Sequence, residues 1–156
     1  SDGFVLLIPP GHALAKGRGP LRWIDVAALT HISMPLPASV RQYADAALLQ
    51  HRLRFAPTYE VEHLATITAM VACGLGVAAL PELAAAVAPP PRVGGRLLVE
   101  PDISRPIGLV TRRYRSLSPA AAALVDMLRE EMARLSPRPR RGQKGKPSSC
   151  ACTSKP

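Results

Sequence analysis

The chain opens on a compact apolar run, Phe4-Val5-Leu6-Leu7-Ile8, stopped by Pro9-Pro10-Gly11. The run scarcely alternates between apolar and polar, which predicts a strand covered on both faces. After a loop holding Gly17, Gly19 and Pro20, residues 23–29 predict a short helix and residues 31–34 a second strand, broken by Pro35 and Pro37. From Ser39, read as an N-cap, the positions Val40, Tyr43, Ala44, Ala47 and Leu48 keep helical spacing toward Leu53. Residues 57–61 predict a third strand. A helix follows from His63 to Cys73 with Leu64, Ile67, Met70 and Val71 on one face, and Gly74 fits the left-handed position that stops it. Residues 76–80 predict another strand, and Pro81 suits the first turn of a short helix. Residues 88–96, rich in proline and glycine, predict a loop, and residues 96–99 and 106–111 two further strands. Ser118-Pro119 marks the start of a last helix, whose stripe of Ala121, Leu124, Val125, Leu128, Met132 and Leu135 runs to its end.

Strands alternating with helices predict an α/β fold around a largely parallel sheet. The 156 residues, 47% of them hydrophobic, suffice for one domain with a core. Charge then changes the picture. Up to Leu135 there are 14 Lys and Arg against 11 Asp and Glu, whereas residues 136–156 add Arg138, Arg140, Arg141, Lys144, Lys146 and Lys155 with no acid. The net +9 is thus mostly a property of the tail, whose Pro, Arg, Lys, Gly and Ser predict a disordered basic segment. No apolar run reaches the roughly 18 residues of a membrane span. The first residues lack a basic n-region, so the expectation is a cytoplasmic protein with no membrane partner. Cys73 reads as a small buried hydrophobe, Cys150 and Cys152 fall in the tail, and three cysteines make no disulfide framework.

Most candidate chemistry dissolves on inspection. Gly74-Leu75-Gly76-Val77-Ala78-Ala79 has the form of a dinucleotide fingerprint, but a helix precedes it and a strand follows, the reverse of what phosphate binding needs. The glycines read instead as a helix stop and a close helix–strand approach. His12, His31, His51 and His63 lack metal-ligand spacing, and no nucleophile elbow is present. Glu60 and Glu62 read as solvated strand-end charges, and Arg112, Arg113 and Arg115 as a solvated basic strand end. What remains is the start of the helix at His63-Leu64-Ala65-Thr66, where free amides and the Thr66 hydroxyl suit an anion. Ser33 and Ser39 are placed to offer hydroxyls to the same crevice, outside the carboxyl ends of the strands. On the residue pattern alone, ordinary capping accounts for these positions equally well.

At these residues the chain resembles the effector-binding domain of LysR-type transcriptional regulators. The resemblance is carried by Phe4 to Ala15, Asp25 to Leu29, Ser39-Val40-Arg41, Ala65 to Glu82, Arg105 to Arg113 and Leu117 to Ala121, in order, across residues 3–135. It implies a type 2 periplasmic-binding-protein-like fold: two α/β subdomains, two crossover strands and an effector in the cleft between the subdomains. Residues 1–135 would be a partial effector-binding domain. Within it, residues 4–10 make the first crossover, with Pro9 and Pro10 near the hinge. Subdomain II spans 13–95, residues 97–111 cross back, and the remnant of subdomain I comprises 1–12 and 96–135, including the last helix. The family's winged helix-turn-helix, linker helix and opening β-α-β segment have no counterpart here. The chain therefore reads as a fragment that would reach DNA only through a winged helix-turn-helix it lacks. The intact regulator would be a homo-oligomer.

The expected function is effector sensing, not catalysis. A small anionic or polar metabolite would bind near Ser33, Ser39, His63, Leu64 and Thr66 and shift the populations of two subdomain arrangements. No cofactor, metal or catalytic residue is expected. Two other readings stand beside it: a solute-binding protein of transport with the same fold, and nonspecific nucleic-acid binding through the six tail charges.

Overall fold

The structure, a computed structural model, describes residues 2–87, 93–112 and 116–135. The chain divides into two compact units, Ser1–Gly108 and Leu109–Pro156. The expected disordered tail, and Arg113 and Arg115, lie outside the described residues.

In the first unit the opening apolar run becomes β1 (Asp2–Ile8), the central strand of the larger sheet. Phe4, Leu6 and Ile8 are fully buried, Leu7 is buried and Val5 half-buried, so both faces are covered as the poor alternation predicts. A 3-10 turn at Ala13–Lys16 is capped by His12, whose Nδ1 accepts from the Leu14 amide at 3.2 Å. Then come β2 (Leu21–Arg22), α1 (Trp23–Val26), β3 (Ile32–Ser33), α2 (Ser39–Gln50), β4 (Tyr59–Glu60), α3 (Leu64–Ala72), β5 (Ala78–Pro81), α4 (Glu82–Val87), β6 (Gly94–Val99) and β7 (Ser104–Arg105). The ring of Phe4 lies 5.8 Å from Trp23 and 5.9 Å from Tyr43, which ties β1 to α1 and α2.

The sheet is mixed, not largely parallel. Strand β1 runs antiparallel to β5, β6 and β7, while β2 pairs parallel with β6 and β3 parallel with β4. Alternation of helices and strands dictates direction only for strands joined through a helix. The β3–α2–β4 unit obeys it, and so does the parallel bridge from His31 to Val77 at the mouth of β5. The partners of β1 arrive from far along the chain and are free to run against it.

Other boundaries moved for local reasons. Ala38, not Ser39, is the N-cap of α2, and Ser39 is its first helical residue. Pro81 ends β5 instead of opening α4. Residues 94–96 belong to β6 because Gly94, Gly95 and Arg96 pair with Ile8, Leu7 and Leu6; residues 88–92 of the expected loop lie outside the described residues. No strand forms at 106–111. Pro106 lacks a donor, and strand pairing stops at Arg105 among the described residues. Cys73 is exposed, not buried, because it caps α3 where the chain turns outward. Gly74 does hold the left-handed position, at φ 82°. At Gly76 a Cβ would collide with the Thr30 carbonyl oxygen, so the close approach is between two backbones rather than helix and strand.

In the second unit α5 (Pro119–Leu135) begins as expected, with the Ala121 amide donating to Ser118 Oγ at 3.3 Å. Leu124, Met127 and Leu128 of this helix are exposed.

Candidate functional site

Strands β3 and β4 are short, parallel and joined by α2; α3 then returns the chain past β3 to β5. Crossovers of the usual right hand, run in opposite directions along a sheet, place their helices on opposite faces. A crevice opens where such connections diverge, at the carboxyl ends of the strands. The residues at those ends are Ser33 and Glu60, which are direct partners in the ladder. Ser39 starts α2 on one side, and His63, Leu64 and Thr66 start α3 on the other. Ser33 thus ends β3, Ser39 opens the helix that follows it, and His63, Leu64 and Thr66 open the helix that follows β4. Ser33 is 6% exposed, Leu64 half-buried, and Ser39, His63 and Thr66 exposed.

The two helix starts are uncapped. Neither Ala38 nor the His63 imidazole caps its helix through a side chain. The His63 carbonyl takes the amides of Thr66 and Ile67 at 3.0 and 3.1 Å, while those of Leu64 and Ala65 find no acceptor among the described residues. Such free amides carry the positive end of the helix dipole. Thr68, about one turn past the start, is buried and donates its hydroxyl to the Ala65 carbonyl at 2.9 Å.

Arg41 was legible only as part of a resemblance, yet it organises this edge. Its guanidinium is buried, lies 5.2 Å from the Phe55 ring centroid, and bonds Asp45 one turn on at 3.1 Å and Glu60 at the end of β4. Burial alone would favour loss of its charge, but the bonds to Glu60 and Asp45 outweigh it and raise the pKa above the ordinary arginine value. Glu60 is therefore an ion-pair partner, not merely a solvated strand end. The sequence signal was the Arg41–Asp45 spacing of four on a helix. His31, at the entry to β3, donates Nε2–H to the Val26 carbonyl at 2.8 Å and meets the Phe55 ring edge-on at 5.0 Å. Burial pushes its pKa below the ordinary histidine value, partly offset by the Val26 bond. Pro9, expected near a hinge, is buried just past β1, and Pro10 lies exposed in the following turn. No cluster among the described residues could hold a metal ion.

An α/β domain with uncapped helix starts flanking a strand-end crevice is the architecture of a small-molecule binding module. The LysR substrate binding domain model matches residues 1–133, and the chain belongs to that family. It is 34% identical over 128 residues to YbhD, an uncharacterised HTH-type transcriptional regulator of Escherichia coli, covering 82% of this chain and 40% of that protein. The chain thus spans well under half the length of this relative. Among solved structures it resembles the regulatory domain of Synechocystis CcmR in complex with 2-PG, with TM-score 0.67, 14% identity and coverage of 86% of this chain and 64% of that one. It also resembles the effector-binding domain of QuiR in complex with shikimate, with TM-score 0.60, 18% identity and coverage of 86% and 63%. The fold is accordingly that of LysR effector-binding domains, type 2 periplasmic-binding-protein-like. No helix among the described residues is long and apolar enough to cross a membrane.

Proposed function

We propose that this chain is the ligand-sensing part of a transcriptional regulator and binds a small anionic or polar metabolite at the crevice between the ends of β3 and β4. The observation that carries the reading is the pair of uncapped helix starts beside the buried Ser33. Free amides of α3 would receive the anionic group, and the hydroxyls of Ser33, Ser39 and Thr66 would fix its orientation. The relatives and structural neighbours support the same reading, since the QuiR and CcmR domains hold shikimate and 2-PG. In this scheme residues 4–10 and 97–111 are the two crossovers, Pro9 and Pro10 lie near the hinge, and residues 13–95 form the subdomain that bears the site. Binding would shift the balance of conformations, and a DNA-binding domain in the whole regulator, itself a homo-oligomer, would read that shift. The chain does no chemistry on its ligand.

Titration of the chain with shikimate, 2-PG and related small carboxylates, followed by amide chemical shifts, tests the site. Shifts should centre on residues 33, 39 and 63–66. Thr66→Ala should weaken a binding ligand about 10- to 150-fold, the range for a lost hydrogen bond to a charged group, with an unchanged melting curve. Shifts centred elsewhere, or equal affinity in Thr66→Ala, would remove the assignment.

A further inference from the structure

Two non-glycine residues among those described have positive φ: Arg52 at 58° and Glu100 at 51°. They follow different elements, α2 and β6, and a hydrogen bond joins their surroundings. His51, the C-cap of α2, donates Nε2–H to the carbonyl oxygen of Glu100 at 2.8 Å. Arg52 is the next residue after His51. Residues of this kind carry backbone strain and persist where their surroundings over-determine them.

The Glu100 side of the contact is a break in the β-ladder. Strand β6 pairs with β1 as far as Leu97 opposite Val5, and β7 resumes pairing with Ser104 opposite Gly3. Between them the chain loops out, and the loop begins at Glu100. Beyond it the ladder is pinned by Asp2, which is buried and accepts from Arg105 Nε at 2.9 Å and from the Leu83 amide at 3.0 Å. On the other side, α2 is a single helix that starts at Ser39 in the crevice and ends at His51 on the loop.

We propose that the His51–Glu100 contact is a conformational latch that fastens the end of α2 to the break between β6 and β7. Helix α2 then acts as a lever between the crevice and the strand pair that the functional reading takes as the return crossover. The inference rests on that reading for its purpose, but the latch itself is measurable without any ligand. When α2 shifts at its crevice end, the latch passes the shift to Glu100, whose backbone is held at a φ of 51°. When the latch opens, β7 loses its tie to α2 while the β1–β5 ladder stays intact.

Hydrogen exchange on the chain, in the absence of ligand, tests this. In His51→Ala the amides of β7, Ser104 and Arg105, should exchange about 5- to 10-fold faster, the range set by one exposed hydrogen bond. The amides of β1 and β5 around Leu6 and Ala79 should be unaffected. His51→Gln keeps an N–H donor of similar reach and should restore exchange to within about twofold of the parent. Unchanged exchange in His51→Ala, equal acceleration of the β1–β5 ladder, or failure of His51→Gln to restore protection each overturns the latch. Failure of the ligand titration with normal latch behaviour would instead count against the crevice.

Discussion

At the scale of single residues, buried polar groups are the most informative feature of this protein. His31 is 2% exposed, donates through Nε2, and leaves Nδ1 without a partner. A buried imidazole with one nitrogen unpaired is held neutral, which agrees with its lowered pKa. The consequence for stability has a definite sign. Above the ordinary value of 6.5 both folded and unfolded chains carry neutral His31. As pH falls below it, the unfolded chain takes up a proton that the folded chain refuses, so stability falls until the depressed folded pKa is passed. His31→Gln, which keeps a donor for Val26, should therefore lose less stability than the parent between pH 7.5 and pH 5.5. Urea unfolding at several pH values reads this directly, and parallel curves would show that His31 is not the group responsible. None of this was legible from a lone histidine in a polar-flanked strand. Burial of a titratable group is decided by what packs over it.

At the scale of elements, α2 and α3 end in the same way with different residues. In α2 the Leu53 amide returns to the Leu48 carbonyl at 3.0 Å and the Arg52 amide to Leu49 at 2.8 Å. In α3 the Leu75 amide returns to Met70 at 3.1 Å and the Gly74 amide to Val71 at 2.9 Å. Both are Schellman ends, which place one residue in the left-handed region. Glycine occupies that position in α3, and its φ of 82° costs it nothing. Arginine occupies it in α2 at a cost of about 1 kcal/mol. Arg52→Gly should stabilise the chain by about that amount, and Gly74→Ala should destabilise it similarly, because space is open around a Cβ there. Thermal unfolding of both variants reads the pair. Shifts of the same sign would contradict the backbone account. The end of α3 was legible because Gly74 follows an apolar stripe; that of α2 was placed at Leu53, three residues late, because arginine carries no stop signal. The start of α2 was misread for a related reason. Serine is the commoner cap, but here the turn after Pro35 places Ala38 at that position.

At the scale of the whole first unit, buried polar contacts join segments that lie far apart along the chain. Asp2 is the clearest: its side chain is 1% exposed and holds Arg105 and the start of α4, which lie far away along the chain. Asp2→Ala would leave a buried amide and a partly buried guanidinium without their acceptor. The expected loss is about 2–4 kcal/mol. Asp2→Asn keeps an acceptor for Leu83 and should lose less. Denaturant midpoints at constant slope would measure both, and equal losses would mean that only the charge matters. The same scale decided the sheet. The order and type of most elements up to β6 were legible from apolar periodicity, and the rule that ligands gather at strand ends directed attention to Ser33 and the start of α3. The direction of β1 against its neighbours was not legible, nor the absence of a strand at 106–111, because both depend on which partners arrive beside a strand.

By itself the sequence determined what is local. Apolar spacing set helices and strands, Gly74 and Ser118 set helix ends, and the ordered run of matching stretches pointed to the family. Only the tertiary structure decided which polar groups are buried and what they touch: Arg41 on Glu60, Asp2 on Arg105, His31 against Phe55, and His51 on the Glu100 carbonyl. The physical reason is range. Periodicity and capping act over a few residues along the chain. Desolvation and ion pairing depend on groups that folding brings together from anywhere in it.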